Sequence, residues 1–198
     1  VQMLAENLRK TVEEHTFVGI VDFNSSPYSN LKNCCQIIFE TGQCCRNGAI
    51  NTGAASQNFY TFAMIDICKA PCNSSPALTT EPIGLLCCNQ PYYFNNGASD
   101  TADFDSLSYS FTDPLSGFNT TISYSGEYSY KRPFAAYWLS PLKYPYVNVN
   151  SNPPMGIFLD PETGDLIFTP FKCDEVTVAV LEVKEWRKDS VGNYKVIG

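Results

Sequence analysis

Along most of the chain, apolar and polar residues alternate with a period of two. The run Val176-Thr177-Val178-Ala179-Val180-Leu181-Glu182-Val183-Lys184-Glu185-Trp186 alternates over its length, as a half-buried strand does. Thr16 to Phe23, Gln36 to Phe39, Phe59 to Ile67, Leu107 to Phe111, Thr121 to Tyr124 and Leu166 to Phe168 read as further short strands. Turn-forming groups separate them, such as Arg46-Asn47-Gly48, Asn95-Asn96-Gly97 and Glu162-Thr163-Gly164-Asp165. In the last of these Gly164 is expected at a left-handed position. Helical spacing occurs at Val1, Leu4, Leu8 and Val12, but a strand from about Thr11 onward is the preferred reading there. Many short strands with regular punctuation predict an all-β sandwich architecture.

A boundary is expected near Cys72-Asn73-Ser74-Ser75-Pro76, which follows a strong strand and carries Pro71 and Pro76 on either side. It divides the chain into a partial N-terminal module, residues 1–72, and a second module, residues 73–198. The second contains an insertion at 113–153 dense in Tyr, Ser, Pro and Asn. The expected fold is thus two β-sandwich modules in tandem.

Charge narrows the function classes. In 198 residues, 13 Lys and Arg face 20 Asp and Glu, a net charge of −7 with no basic run, which argues against nucleic-acid partners. With 17% charged and 14% aromatic residues the composition is that of a folded chain. A single histidine, His15, excludes His-rich metal sites. No stretch approaches 18 apolar residues, so no membrane insertion is expected. Val1-Gln2-Met3 does not begin a signal peptide, and the expectation is a mature fragment of a longer exported chain.

Nine cysteines set the compartment: Cys34, Cys35, Cys44, Cys45, Cys68, Cys72, Cys87, Cys88 and Cys173. No Cys-x2-Cys pair of the zinc type occurs, so disulfides are preferred over metal ligation. Persistent disulfides predict an oxidising, extracellular or cell-surface location. Adjacent cysteines rarely bond each other, so each doublet is expected to tie its strand to two different neighbours. The odd count leaves at least one thiol free or bonded to a partner.

Three carboxylates within six residues, Asp100, Asp103 and Asp105, immediately precede an alternating strand and could ligate calcium through hard oxygens. The competing reading is that Asp100 and Asp103 cap turns. Tyr128, Tyr130, Tyr137 and Trp138 belong to an aromatic cluster that either stacks on sugar rings or packs beneath long loops. For catalysis, His15 has no Ser or Cys context suggesting an activated nucleophile, and no Gly-x-Ser-x-Gly occurs. Glu127, Asp174 and Glu175 have no sequence-evident pairing across a cleft. A non-catalytic chain is expected.

Two segments carry a resemblance. Gly97-Ala98-Ser99-Asp100-Thr101-Ala102-Asp103-Phe104-Asp105-Ser106-Leu107-Ser108-Tyr109 is one. The other runs from Pro154-Met155-Gly156-Ile157-Phe158-Leu159-Asp160-Pro161-Glu162-Thr163-Gly164 through Asp165-Leu166-Ile167-Phe168-Thr169-Pro170. Together they resemble cadherin-like, immunoglobulin-like modules of bacterial surface proteins. With Glu40 to Ile50, Asn73-Ser74-Ser75-Pro76 and Cys88-Asn89-Gln90-Pro91, the chain is similar to large gliding-motility-associated surface proteins of the Bacteroidetes. The resemblance covers about Cys44 to Gly198 and implies a type IX secretion substrate acting as a structural or adhesive module. Its implied partners are other domains of the same chain or other surface proteins, with polysaccharide as the alternative ligand. It also implies O-glycosylation at Thr101, Ser106 and Ser190, each in an Asp-Ser/Thr-apolar triplet. The sequence departs from the family pattern at Phe104, where glycine would sit.

Overall fold

A computed structural model describes residues 16–198. The helical spacing at the N-terminus and His15 lie outside them. The chain divides into a unit ending at Cys34 and a unit spanning Cys35–Gly198. In the first, Asp22 Oδ1 accepts from Asn24 N at 2.8 Å, and a 3-10 helix follows at Tyr28–Asn33. The expected strand at Thr16 to Phe23 is absent: Phe17, Val18 and Ile20 are each more than 90% exposed. Residues 16–22 are exposed on both faces, so their alternation has no covered face to pack against.

The second unit is all-β. Its strands are β1 (Gln36–Gln43), β2 (Phe59–Asp66), β3 (Ala77–Leu78), β4 (Tyr92–Asn95), β5 (Ala98–Ser99) and β6 (Ser106–Thr112). Then come β7 (Leu115–Gly117), β8 (Thr120–Thr121), β9 (Ile157–Leu159), β10 (Asp165–Phe168), β11 (Val180–Lys188) and β12 (Tyr194–Val196). They form sheets in the orders β1-β2-β7-β8, β4-β10-β9, β12-β11-β6 and β3-β5. Strand β2 pairs with β7 through Tyr60 and Leu115, so the ladder runs across the boundary expected at residue 72. The division at Cys34 falls elsewhere.

Two predicted strands shift. Strand β8 keeps only Thr121 of the segment Thr121 to Tyr124. Val176 to Ala179 leaves the ladder because loop side chains take its backbone. Val176 N donates to Asn51 Oδ1 at 3.0 Å, and Tyr124 Oη donates to Val178 O at 2.7 Å. The turns behave as read. Asp160 Oδ1 accepts from Glu162 N and Thr163 N at 2.8 and 2.9 Å between β9 and β10. Gly164 there has φ +76°, and a Cβ would press on the Tyr109 ring at 2.8 Å.

The core is thin. Phe134, Leu166 and Phe168 form its centre, with Tyr92, Phe94, Phe111, Ile157 and Leu159 around them. The Phe134 and Phe168 rings lie 4.3 Å apart. Of the twelve buried apolar residues among those described, four are alanines. Little apolar area therefore holds many short strands, and cross-links matter correspondingly.

Two disulfides sit at ladder ends. Strands β1 and β2 finish with Gln36 opposite Asp66, and Cys35 bonds Cys68 just beyond. Strands β4 and β10 finish with Tyr92 opposite Phe168, and Cys88 bonds Cys173 past that end, where Asn89 N also donates to Pro170 O at 2.7 Å. Cys34, Cys72 and Cys87 are free and exposed. Cys34 is extended, so it and Cys35 point to opposite sides and only one sulfur can reach Cys68. All three doublets correct the expectation of two different neighbours: Cys34 and Cys87 stay free beside a bonded cysteine, and Cys44 and Cys45 bond each other. The chain has left the ladder after Gln43, so strand alternation no longer separates the two side chains. The bridges are those of an oxidising environment. No helix among the described residues is long and apolar enough to cross a membrane.

Asp66 anchors the end of β2. Its side chain is 5% exposed, pairs with Lys69 Nζ at 2.8 Å, and accepts from Cys68 N and Lys69 N at 3.2 and 3.1 Å. The lysine contact, with those backbone donors, holds the carboxyl below its ordinary value. Asp66 N also donates to Ile197 O at 2.8 Å.

The bridges and Asp66 can each be tested by substitution. Removing Cys88 and Cys173 together releases a loop with 85 residues of separation and should cost roughly 4 kcal/mol by chain entropy. Removing Cys44 and Cys45, which close no loop, should change the denaturation free energy by less than about 1 kcal/mol. Asp66→Asn should cost about 2 kcal/mol near pH 7, the worth of hydrogen bonds to a charged group. Because the folded carboxyl titrates low, that contribution is present above the unfolded value and lost as pH falls through the folded one. The gap between wild type and variant in urea melts should therefore close below about pH 4.

Candidate functional site

The loop from Asp100 to Asp105 turns inward because Asp100 collects its backbone. Asp100 Oδ1 accepts from Ala102 N and Asp103 N at 3.2 and 3.0 Å, and Oδ2 from Asp105 N at 2.9 Å. Burial pulls the Asp100 carboxyl up, but the three N–H groups together overcome it and hold the group below its usual range. This wrap holds Phe104 at φ +59°, a left-handed position that favours glycine, and leaves its ring 83% exposed.

Strand β11 supplies the opposite wall. Glu185 and Arg187 are two apart and so share one face, while Trp186 turns the other way and donates from Nε1 to Ser108 Oγ at 2.7 Å. Arg187 grips Asp105 with Nε to Oδ1 at 2.8 Å and NH2 to Oδ2 at 2.6 Å. Its NH2 also reaches Asn73 Oδ1 at 2.8 Å and lies 3.6 Å from Asp103 Oδ2. Asn73 Nδ2 in turn donates to Glu185 Oε2 at 3.0 Å. Glu185 is 2% exposed, and Gly198 packs so closely that a Cβ would overlap Oε2. Burial, with Asp100 and Asp105 beside it, pushes the Glu185 carboxyl up.

Of the sequence-predicted trio, Asp100 and Asp105 therefore meet. Asp103 turns aside, with Oδ2 accepting from Ser74 N at 2.6 Å. The third carboxylate is Glu185: one oxygen each from Asp100, Asp105 and Glu185 lies within 4.8 Å of the other two. The sequence did hold a signal for it. In the alternating run, Glu185 falls on the same face as Leu181 and Val183, where a charge needs a partner.

The aromatic candidates do not line up as one platform. Tyr128, Tyr130, Tyr137 and Trp138 are all half-buried. Tyr128 donates to Glu175 and accepts from Lys172 Nζ at 2.8 Å. Trp138 Nε1 donates to Tyr146 O at 2.7 Å, with Arg132 stacked 5.3 Å from its ring. Tyr130 and Trp138 line separate clefts of about 370 and 210 Å³. Those two clefts hold one carboxylate, Glu127, which pairs with Arg132 at 2.8 Å. Thr101 and Ser106 are exposed, as is Ser190 in the β11–β12 turn, where Asp189 Oδ1 caps Val191 N and Asn193 N.

The left-handed Phe104 gives a direct check of the loop. Phe104→Gly should raise stability by about 1 kcal/mol in chemical denaturation, since the position disfavours a Cβ and the ring contributes little burial.

No protein-family model, curated protein or solved structure matches the chain.

Proposed function

We propose that the chain is a non-catalytic structural or adhesive element of an exported bacterial surface protein. On this reading it consists of cadherin-like, immunoglobulin-like modules of the gliding-motility-associated kind, exported by type IX secretion, and its partners are neighbouring domains or other surface proteins. The observation that carries the reading is the placement of the disulfides. Cys35–Cys68 and Cys88–Cys173 each close the end of an antiparallel ladder in a chain with a thin core. Bridges so placed stop the two strands from peeling apart when the chain is pulled, a demand that a spacer meets and a small enzyme need not. The packed aromatics favour it over carbohydrate binding. Each Tyr128 and Trp138 polar tip is engaged within the chain, and Tyr130 and Trp138 line different clefts.

Single-molecule stretching tests the reading. Sequence separations of 85 and 33 residues lock away about 300 and 115 Å of extended chain. The oxidised protein should yield at a distinct force and extend about 400 Å less than the reduced one. Extension at forces that merely stretch an unfolded chain would refute the spacer role. Saturable polysaccharide binding that Trp138→Ala removes would replace it with a carbohydrate-binding role.

A further inference from the structure

We propose that Asp100, Asp105 and Glu185 bind a hard divalent cation of the calcium class, between the loop preceding β6 and the end of β11. Their oxygens, mutually within 4.8 Å, can surround one ion at the 2.3–2.6 Å that calcium takes. The observation that points to a ligand is Glu185 Oε1. The residue is 2% exposed, its Oε2 is held by Asn73, and Oε1 meets no hydrogen-bond partner. Proteins rarely keep a buried carboxylate oxygen in that condition.

The surrounding groups do not relieve it. The donors nearby are spent: three backbone N–H groups on Asp100, Arg187 on Asp105, and Ser74 N on Asp103. Asp100, Asp103, Asp105 and Glu185 carry four negative charges against one on Arg187, so −4 + 1 = −3. A divalent ion reduces this to −1. Hydrogen bonds already made do not bar it, since each carboxylate oxygen has a second lone pair. All the donors are oxygens, the set that selects calcium or magnesium over softer metals. The carboxylates are fixed on a wrapped loop and a strand, an irregular arrangement that suits calcium better than the strict octahedron of magnesium.

The test uses the 198-residue chain dialysed against chelator, with thermal unfolding followed as calcium or magnesium chloride is added at constant ionic strength. Calcium at ~100-fold its half-saturating concentration should raise the midpoint by about 5–10 °C. Magnesium should act more weakly. Glu185→Gln keeps the side-chain shape and should bind calcium ~10-fold or more weakly while still unfolding cooperatively, whereas Asp103→Asn, which removes a nearby charge but no ligand oxygen, should weaken binding less than Glu185→Gln does. No midpoint shift in wild type at millimolar calcium overturns the site, as does a full shift in Glu185→Gln. A higher midpoint for Glu185→Gln without added ion, with wild type unmoved by calcium, assigns a proton to Oε1 instead and also overturns it. The spacer reading does not depend on this site: stretching reads the bridges and is run in chelator, so each can fail alone.

Discussion

The Cys88–Cys173 bond is the constraint on which most of the second unit depends. It joins residues on either side of β4 and β10, the two strands that flank the aromatic core. Everything between the two sulfurs, including β6 and the Tyr-rich insertion, belongs to one closed loop. Within it, Phe168 meets Tyr92 at 5.4 Å and Phe134 at 4.3 Å, contacts that need the β4–β10 register fixed. A two- or four-residue ladder cannot fix register through hydrogen bonds alone, because a slip by one residue would turn every ring to the wrong face. The bridge removes that freedom covalently, and the small core then suffices.

The acid cluster applies the same logic through charge. Asn73, Asp105 and the Glu185/Arg187 pair are far apart in sequence, yet one chain of contacts runs from Glu185 through Asn73 and Arg187 to Asp105. This joins the loop before β6 and the segment after Cys72 to strand β11. A buried network of this kind specifies position more than it adds stability, because desolvation offsets much of the attraction. It also leaves negative charge in excess, so the arrangement is sensitive to whatever cation or proton shares the space.

Much of this was legible in the chain and some was not, for physical reasons. Leu166 to Phe168 was recognisable because its alternation matches a face that is covered in the fold, with Leu166 and Phe168 both buried. Strands β3, β4, β5, β7, β9 and β12 span two to four residues each, too few for a period to declare itself. Thr16 to Phe23 has the pattern without a buried face, and Val176 to Ala179 has it while loop residues Asn51 and Tyr124 hold its backbone. Cysteine number pointed to an oxidising environment, but connectivity follows from which ladder ends meet, a long-range property. Asp100 and Asp105 were visible as neighbours in sequence. Glu185, eighty residues further on, joins them only because β11 pairs with β6 from Trp186 opposite Ser106.

The Tyr-rich insertion shows why composition alone misjudges such a segment. Its backbone forms few ladder bonds, with isolated bridges at Ser129–Arg132, Ala136–Pro170 and Asn148–Met155. Side-chain tips take over that role: Tyr124 Oη on Val178 O, Trp138 Nε1 on Tyr146 O, Tyr128 on Glu175. A ring whose polar end is anchored inside the chain keeps its flat face against a neighbour, as Trp138 does against Arg132. Freeing that face for a sugar would expose the apolar surface it covers and leave its hydrogen-bond partner unsatisfied. The same aromatics that suggest a binding platform in sequence thus act in the fold as fasteners for a loop that lacks strands of its own.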